Sequence, residues 1–125
     1  MSAALAEPPF VLDAARVLRY AVLRKEELRS GAVVNGVPLD AANLAGVVMA
    51  EALLDGVIFV LHCNEHWETL TASQHGDEPS AEREVASTYG AAFPGWTAYR
   101  ALSEEEQREI QTTRAFLQQL AAEEF

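Results

Sequence analysis

Hydrophobic and polar residues alternate with a period of two in the first half of the chain, which is typical of β-strands. Leu18, Tyr20 and Val22 alternate with small or charged residues and predict a strand over residues 16–23. The alternative is a helix over residues 13–29, because good helix formers such as Ala, Leu, Arg and Glu are frequent there.

Three more apolar segments predict strands over residues 44–50, 57–63 and 67–73. The segment 57–63 is apolar on both faces. A strand of this kind is central and covered on both sides, or it is covered on one side and lies in an oligomer interface on the other. A homodimer is therefore one expectation.

A shorter signal precedes these strands. Asn35-Gly36 lies between Val33-Val34 and Val37. Asn-Gly between β-branched residues favours a tight two-residue turn, so we predict a small hairpin here.

The last third of the chain has helical periodicity instead. Ala81, Val85 and Tyr89 recur every four residues and predict a short helix over residues 80–89, which Gly90 would end.

A longer helix is predicted from Glu104 to about Ala122. Ser103 and Glu106 have the Ser-x-x-Glu spacing of a capping box, and the three glutamates at its start complement the helix dipole. One side of this helix is apolar and consists of Ile110, Thr113, Leu117, Leu120 and Ala121, with Phe116 at its edge.

Together these elements predict an α+β fold. It has an antiparallel sheet of four to five strands, a short helix packed on the sheet and a longer amphipathic C-terminal helix. A length of 125 residues favours a single domain, 1–125. Within it, residues 1–9 are predicted to form a disordered or loosely held tail, 10–73 the strand-rich part and 80–125 the helical part.

The charge is strongly negative and unevenly distributed. The formal net charge is −10. Residues 1–62 carry seven acidic and five basic residues, a net charge of −2, whereas residues 63–125 carry twelve and four, a net charge of −8. Such a charge repels a phosphate backbone, so nucleic-acid binding is not expected. It favours solubility and a basic protein partner.

The segment 41–63 is long and apolar enough to suggest a membrane span. Glu51 and Asp55 lie near its middle, and each would cost about 2.5–3.5 kcal/mol at the centre of a bilayer. Two strands joined by a turn fit better, so no membrane contact is expected. The first ten residues lack a basic residue, and Cys63 is the single cysteine. Both observations favour a cytoplasmic location.

The sequence His62-Cys63-x-x-His66 is the one cluster with the residue types of a metal site. His62 and Cys63 are neighbours in a predicted strand, so their side chains should point to opposite faces. We therefore expect no metal ion and no cofactor. A Cys63 nucleophile would need a histidine base, a third group that orients the base and donors for an oxyanion. No Gly-x-Cys-x-Gly elbow surrounds Cys63, so no catalytic residues are assigned.

Aromatic residues cluster near the same part of the chain. We name His62, Cys63, His66, Trp67 and Trp96 as the candidate ligand or partner site. Convergence of these side chains on a cleft would support it, whereas complete packing of His62 and Cys63 would argue against it.

The segments 19–23 and 60–70, followed by a helix that ends near Phe93-Pro94-Gly95-Trp96, resemble a group of small bacterial α+β proteins. In that group a strand ending in His-Cys precedes an acidic turn and a Trp. The resemblance covers roughly residues 16–96. It implies a fold and carries no activity.

These features favour a non-catalytic bacterial protein that acts by binding another protein, as an inhibitor, an immunity-type protein or an adaptor. The first alternative is a small-molecule-binding protein or enzyme with a pocket near His62, Cys63, His66 and Trp67. The second is a homo-oligomeric structural domain.

Overall fold

The computed structural model describes residues 6–28, 33–34, 37–38 and 42–123, and these form an α+β fold. The predicted fold class is confirmed. Short 3-10 turns lie at Lys25–Glu27 and Gly90–Ala92. The elements are β1 Val11–Leu12, β2 Ala15–Val22, β3 Val33–Val34, β4 Val37–Pro38, β5 Gly46–Ala52, β6 Ile58–Cys63, β7 Thr69–His75, α1 Glu78–Tyr89, β8 Thr97–Ala98 and α2 Glu104–Glu123.

The main sheet is antiparallel, in the order β1-β2-β5-β6-β7. β1 and β8 pair with the same edge of β2. β1 pairs with the start of β2, and β8 pairs further along, at Arg19 and Tyr20. β6 lies between β5 and β7, as expected for a strand that is apolar on both faces. Residues 15–22 form a strand, so the helical alternative for that segment is wrong.

The predicted hairpin is present as the two-stranded pair β3 and β4, in which Val34 pairs with Val37. Its turn residues, Asn35 and Gly36, lie outside the described residues. So do Arg29 and Ser30 of the connection that precedes it.

One face of the sheet packs against α1. Val47, Met49 and Val60 of the sheet are fully buried in one cluster with Ala81 and Val85 of the helix. The side chains of β5 and β6 alternate between the two faces, so every second residue reaches this layer.

The opposite face has its own core, built around Val48, Leu61 and Cys63, which Trp67 closes. The Trp67 ring lies flush against Gly46, where an added Cβ would be 2.5 Å from ring atom Cζ3. A glycine is required at this position because any side chain would displace the indole.

The same face also holds the start of the chain. Trp67 Nε1 donates a hydrogen bond to the carbonyl of Ala6 at 2.7 Å, and Tyr99 Oη donates one to the carbonyl of Pro8 at 2.7 Å. Pro8 is fully buried. Residues 6–9 of the segment predicted to be a loose tail are therefore held against the sheet, and residues 1–5 lie outside the described part.

Candidate functional site

The structure does not bring the five predicted site residues together. His62 and Cys63 are neighbours on β6 and point to opposite faces, as predicted, and both are completely buried. His66 is exposed in the turn after β6. Trp67 belongs to the second face, whereas Trp96 packs edge-to-face on Phe93 beside the core under α1.

His62 lies in the layer between the sheet and α1. Its Nδ1 shares a short hydrogen bond with the hydroxyl of Tyr89 from the last turn of α1, and its Nε2 is buried with no hydrogen-bond partner among the described residues. Burial lowers the pKa of His62 from 6.5 to about 4; the Glu84 carboxylate raises it and His75 lowers it to a smaller extent. The imidazole is therefore neutral at pH 7.

A second polar group lies nearby between β7 and α1. Ser73 Oγ donates to Glu84 Oε2 at 2.6 Å, and His75 Nε2 contacts the same carboxylate oxygen. His75 Nδ1 lies 3.1 Å from Ser80 Oγ.

A serine, a histidine and a glutamate in contact are the residue types of a nucleophile, a base and an orienting acid. Here the Ser73 hydroxyl donates to the Glu84 carboxylate, although its Oγ also lies 3.0 Å from His75 Nε2. A nucleophilic serine would donate to the histidine instead. Catalysis of this type also needs donors for an oxyanion. The contacts join Ser73 and His75 of β7 to Ser80 and Glu84 of α1, so we assign them to holding α1 on the sheet.

Cys63 lies on the other face of β6 in an apolar environment. Burial raises the pKa of its thiol to about 12, with a smaller opposing effect of Thr69. The thiol is protonated at neutral pH, and reactivity requires the thiolate. Its Sγ lies 3.6 Å from the carbonyl of Leu61, so the side chain behaves as a packed core residue.

Among the described residues, no cluster of three or more His, Cys, Asp or Glu side chains is placed to hold a metal ion. No helix in this part of the chain has the length and apolar character to cross a bilayer.

The surface feature that stands out is α2. Its start is firmly held: Glu106 N donates to Ser103 Oγ at 3.1 Å and Ser103 N donates to Glu106 Oε1 at 2.9 Å, which is the predicted capping box. Arg100 donates two hydrogen bonds to the same carboxylate, of 2.7 and 2.8 Å. These hydrogen bonds, with that of Ser103 as the next cause, lower the pKa of Glu106 to about 2.

Two further contacts fix α2 to the body as far as its middle. Ile110 is 5% exposed, and Arg114 Nε donates to the carbonyl of Leu53 at 2.9 Å, in the turn after β5. Ile110 is the one buried residue of this helix among those described.

The second half of α2 exposes its apolar side. Phe116 is 59% exposed and Leu120 is 43% exposed, while Leu117 and Ala121 are partly buried. We call Phe116, Leu117, Leu120 and Ala121 the apolar stripe. No charged residue occurs from Ala115 to Ala122; Arg114 directly precedes this stretch and Glu123 directly follows it. The site prediction did not include these residues, although the periodicity that predicted the helix identified most of them.

No family model, curated protein or solved structure matches this chain.

Proposed function

We propose that this chain is a non-catalytic binding protein that inserts the apolar stripe of α2 into an apolar groove on a basic protein. The observation that carries the proposal is the 59% exposure of Phe116 on a helix whose first half is anchored. Contiguous exposed apolar residues on a soluble protein commonly mark an interaction site.

The spacing of the stripe suits one established mode of recognition. Thr113, Phe116, Leu117 and Leu120 follow the i, i+3, i+4, i+7 spacing of an amphipathic helix that lies in a partner's groove. A phenylalanine at the centre can fill a pocket, and a few well-packed anchors of this kind supply most of the energy of an interface.

The charge around the stripe indicates the chemistry of the partner. Among the exposed charged residues in the first half of α2, Glu104, Glu105 and Glu109 outnumber Arg108, and Glu123 follows the stripe. Interfaces combine an apolar centre with a polar rim. A groove with basic residues at its edge complements this pattern, and the net charge of −10 would accelerate association with such a partner.

This proposal includes an inhibitor, immunity-type or adaptor role in the bacterial cytoplasm. It uses no catalytic group. The alternative occupant of the stripe is a second copy of the chain. β6 is apolar on both faces, which could indicate a dimer interface. Its residues Val60, Leu61, His62 and Cys63 are already buried within one chain, so β6 gives little support to a dimer.

The test places a photo-crosslinking amino acid on α2 of the full-length chain in its native cells. Phe116→p-benzoylphenylalanine keeps an aromatic group within the stripe. Ala115→p-benzoylphenylalanine is the matched control, because this exposed neighbour lies about 100° round the helix. We expect a cross-link to a basic protein from position 116 and not from position 115.

Binding of the purified partner then decides the question. Phe116→Ala should weaken it by about thirtyfold, the value typical of a hot-spot residue, and higher salt should weaken it further. A cross-link between two copies of the chain would contradict the proposal in favour of a homodimer. Equal cross-linking from both positions would contradict the role of the stripe.

A further inference from the structure

A row of three aromatic side chains crosses the face of the sheet opposite α1. The Tyr20 ring contacts Trp67 edge-to-face at 5.9 Å between centroids and Tyr99 at 6.2 Å. Arg100 lies over the Tyr99 ring, with its guanidinium carbon 5.3 Å from the centroid. We call Tyr20, Trp67 and Tyr99 the aromatic row.

Residues 6–8 of the chain's own segment 6–10, Ala-Glu-Pro-Pro-Phe, lie on the row. Trp67 at one end donates to the carbonyl of Ala6 and Tyr99 at the other end donates to the carbonyl of Pro8, each at 2.7 Å. The backbone from Ala6 to Pro8 therefore spans the row. Arg100 Nε donates to Glu7 Oε1 at 3.0 Å beside it.

The segment has the properties of a bound proline-rich peptide. Each proline fixes its own φ and disfavours the helical region for the residue before it, so Glu7 and Pro8 are extended. Such segments lose little entropy on binding, and aromatic grooves recognise them by contacting proline rings and donating to carbonyls. Full burial of Pro8 and the two carbonyl hydrogen bonds are contacts of this kind.

These contacts are not specific to a segment of the same chain. Trp67 and Tyr99 bond to main-chain carbonyls, which every peptide has, and the one side-chain polar contact is Arg100 with a carboxylate. Residues 6–9 belong to no strand. The sheet holds the segment only at its end, where the carbonyl of Phe10 accepts a hydrogen bond from Val17 N at 2.9 Å. A peptide from outside with the same chemistry can make every one of these bonds.

We propose that the aromatic row is a recognition site for an extended Glu-Pro-Pro segment of a partner protein, and that residues 6–10 are an intramolecular ligand that competes for it. The second copy of the chain is the alternative source of the segment. The net charge of −10 on each copy opposes the association of two copies. This site is separate from the apolar stripe, and neither proposal depends on the other.

The test uses the full-length chain with its own segment weakened by Glu7→Gln and Pro8→Gly. The ligand is the capped synthetic peptide Ala-Glu-Pro-Pro-Phe. The control is Ala-Gln-Ala-Ala-Phe, which has the same length and lacks the carboxylate and both prolines. Binding is followed by NMR through the indole N–H resonance of Trp67. The indole of Trp96, on the other side of the sheet, is the internal control.

We expect saturable movement of the Trp67 resonance and no movement of that of Trp96. The wild-type chain should bind the peptide at least tenfold more weakly than the weakened chain, because its own segment competes. Tyr99→Phe, added to the weakened chain, should reduce the affinity again. Should the double variant fail to give a dispersed spectrum, Glu7→Gln alone allows the same comparison.

Three outcomes overturn the proposal. One is the absence of saturable binding to the weakened chain, and another is equal affinity for the two peptides. The third is a wild-type dimer, detected by light scattering, that Glu7→Gln with Pro8→Gly abolishes. That result would mean that residues 6–10 of one copy bind the aromatic row of another copy. Phe116→Ala should leave peptide binding unchanged, which separates this test from that of the apolar stripe.

Discussion

Both helices of this chain begin with the same kind of cap, yet only α1 buries its apolar side against the sheet. Asp77 caps α1 by accepting from the Ser80 amide, and Ser103 caps α2 by accepting from the Glu106 amide. In α1, with 12 residues, Ala81, Val85 and Tyr89 are buried. In α2, with 20 residues, Ile110 is the only buried residue.

The difference separates a helix that builds the fold from one that is available for binding. An apolar side of a helix needs a surface to cover it. The sheet covers that of α1, and Tyr89 and Glu84 of the same helix also bond to polar groups of the sheet. The second half of α2 receives no equivalent cover from the described part of the chain. Changes to the two helices should therefore have different consequences.

The largest effect should come from pH, through the histidine under α1. The pKa of His62 is about 4 in the folded chain and about 6.5 in the unfolded chain. Between these values the unfolded state binds more protons, so stability is lost as the pH falls, by about 3 kcal/mol in all and about 2 kcal/mol by pH 5. Urea unfolding at pH 7 and pH 5 measures this loss.

His62→Gln should remove most of this loss, because the glutamine does not titrate. His66→Gln, at an exposed position, should retain the wild-type dependence on pH. If His62→Gln lost as much stability as the wild type between the two pH values, the histidine under α1 would not be the source.

The next effect comes from the apolar side of α1. Val85 is completely buried, and Val85→Ala should lower the free energy of unfolding by about 2 kcal/mol, from lost burial and the cavity it leaves. Leu54→Ala, in the turn after β5 where the leucine is 41% exposed, should change it by less than about 0.5 kcal/mol. Urea denaturation followed by circular dichroism measures both. Similar losses would mean that burial in this layer does not stabilise the fold.

Removing the caps should give a smaller effect that again differs between the helices. Loss of an N-cap costs about 1 kcal/mol. Asp77→Ala should show this cost in global unfolding, because α1 is part of the core. Ser103→Ala should appear instead as faster amide hydrogen exchange in the first turns of α2, with little change in the denaturation midpoint. Equal global losses would show that α2 unfolds with the sheet.

The sequence predicted the elements better than it predicted their surroundings. The period of two in β2 and the Ser-x-x-Glu spacing before α2 are local signals, and both elements form where they were expected. Contacts between distant residues are absent from such patterns. The bond from Trp67 to Ala6 joins residues 61 positions apart, so the seating of residues 6–9 on the sheet was not foreseen.

The candidate site shows the same limit. Strand alternation correctly separated His62 from Cys63. It did not reveal that His62 would share a hydrogen bond with Tyr89, because that depends on how α1 lies on the sheet. Periodicity likewise identified the apolar side of α2, but it could not distinguish a side covered by the sheet from one left exposed at Phe116.

The smallest effect on stability is expected at the apolar stripe. Phe116→Ala combined with Leu120→Ala should change the free energy of unfolding by less than about 0.5 kcal/mol, because both side chains are largely exposed and alanine is the better helix former. Urea denaturation measures this change, with Val85→Ala as the reference for a buried position. A loss above about 1.5 kcal/mol would mean that the stripe packs on the body in solution. A negligible loss, together with weaker binding of the cross-linked partner, would show that these residues serve recognition and not folding.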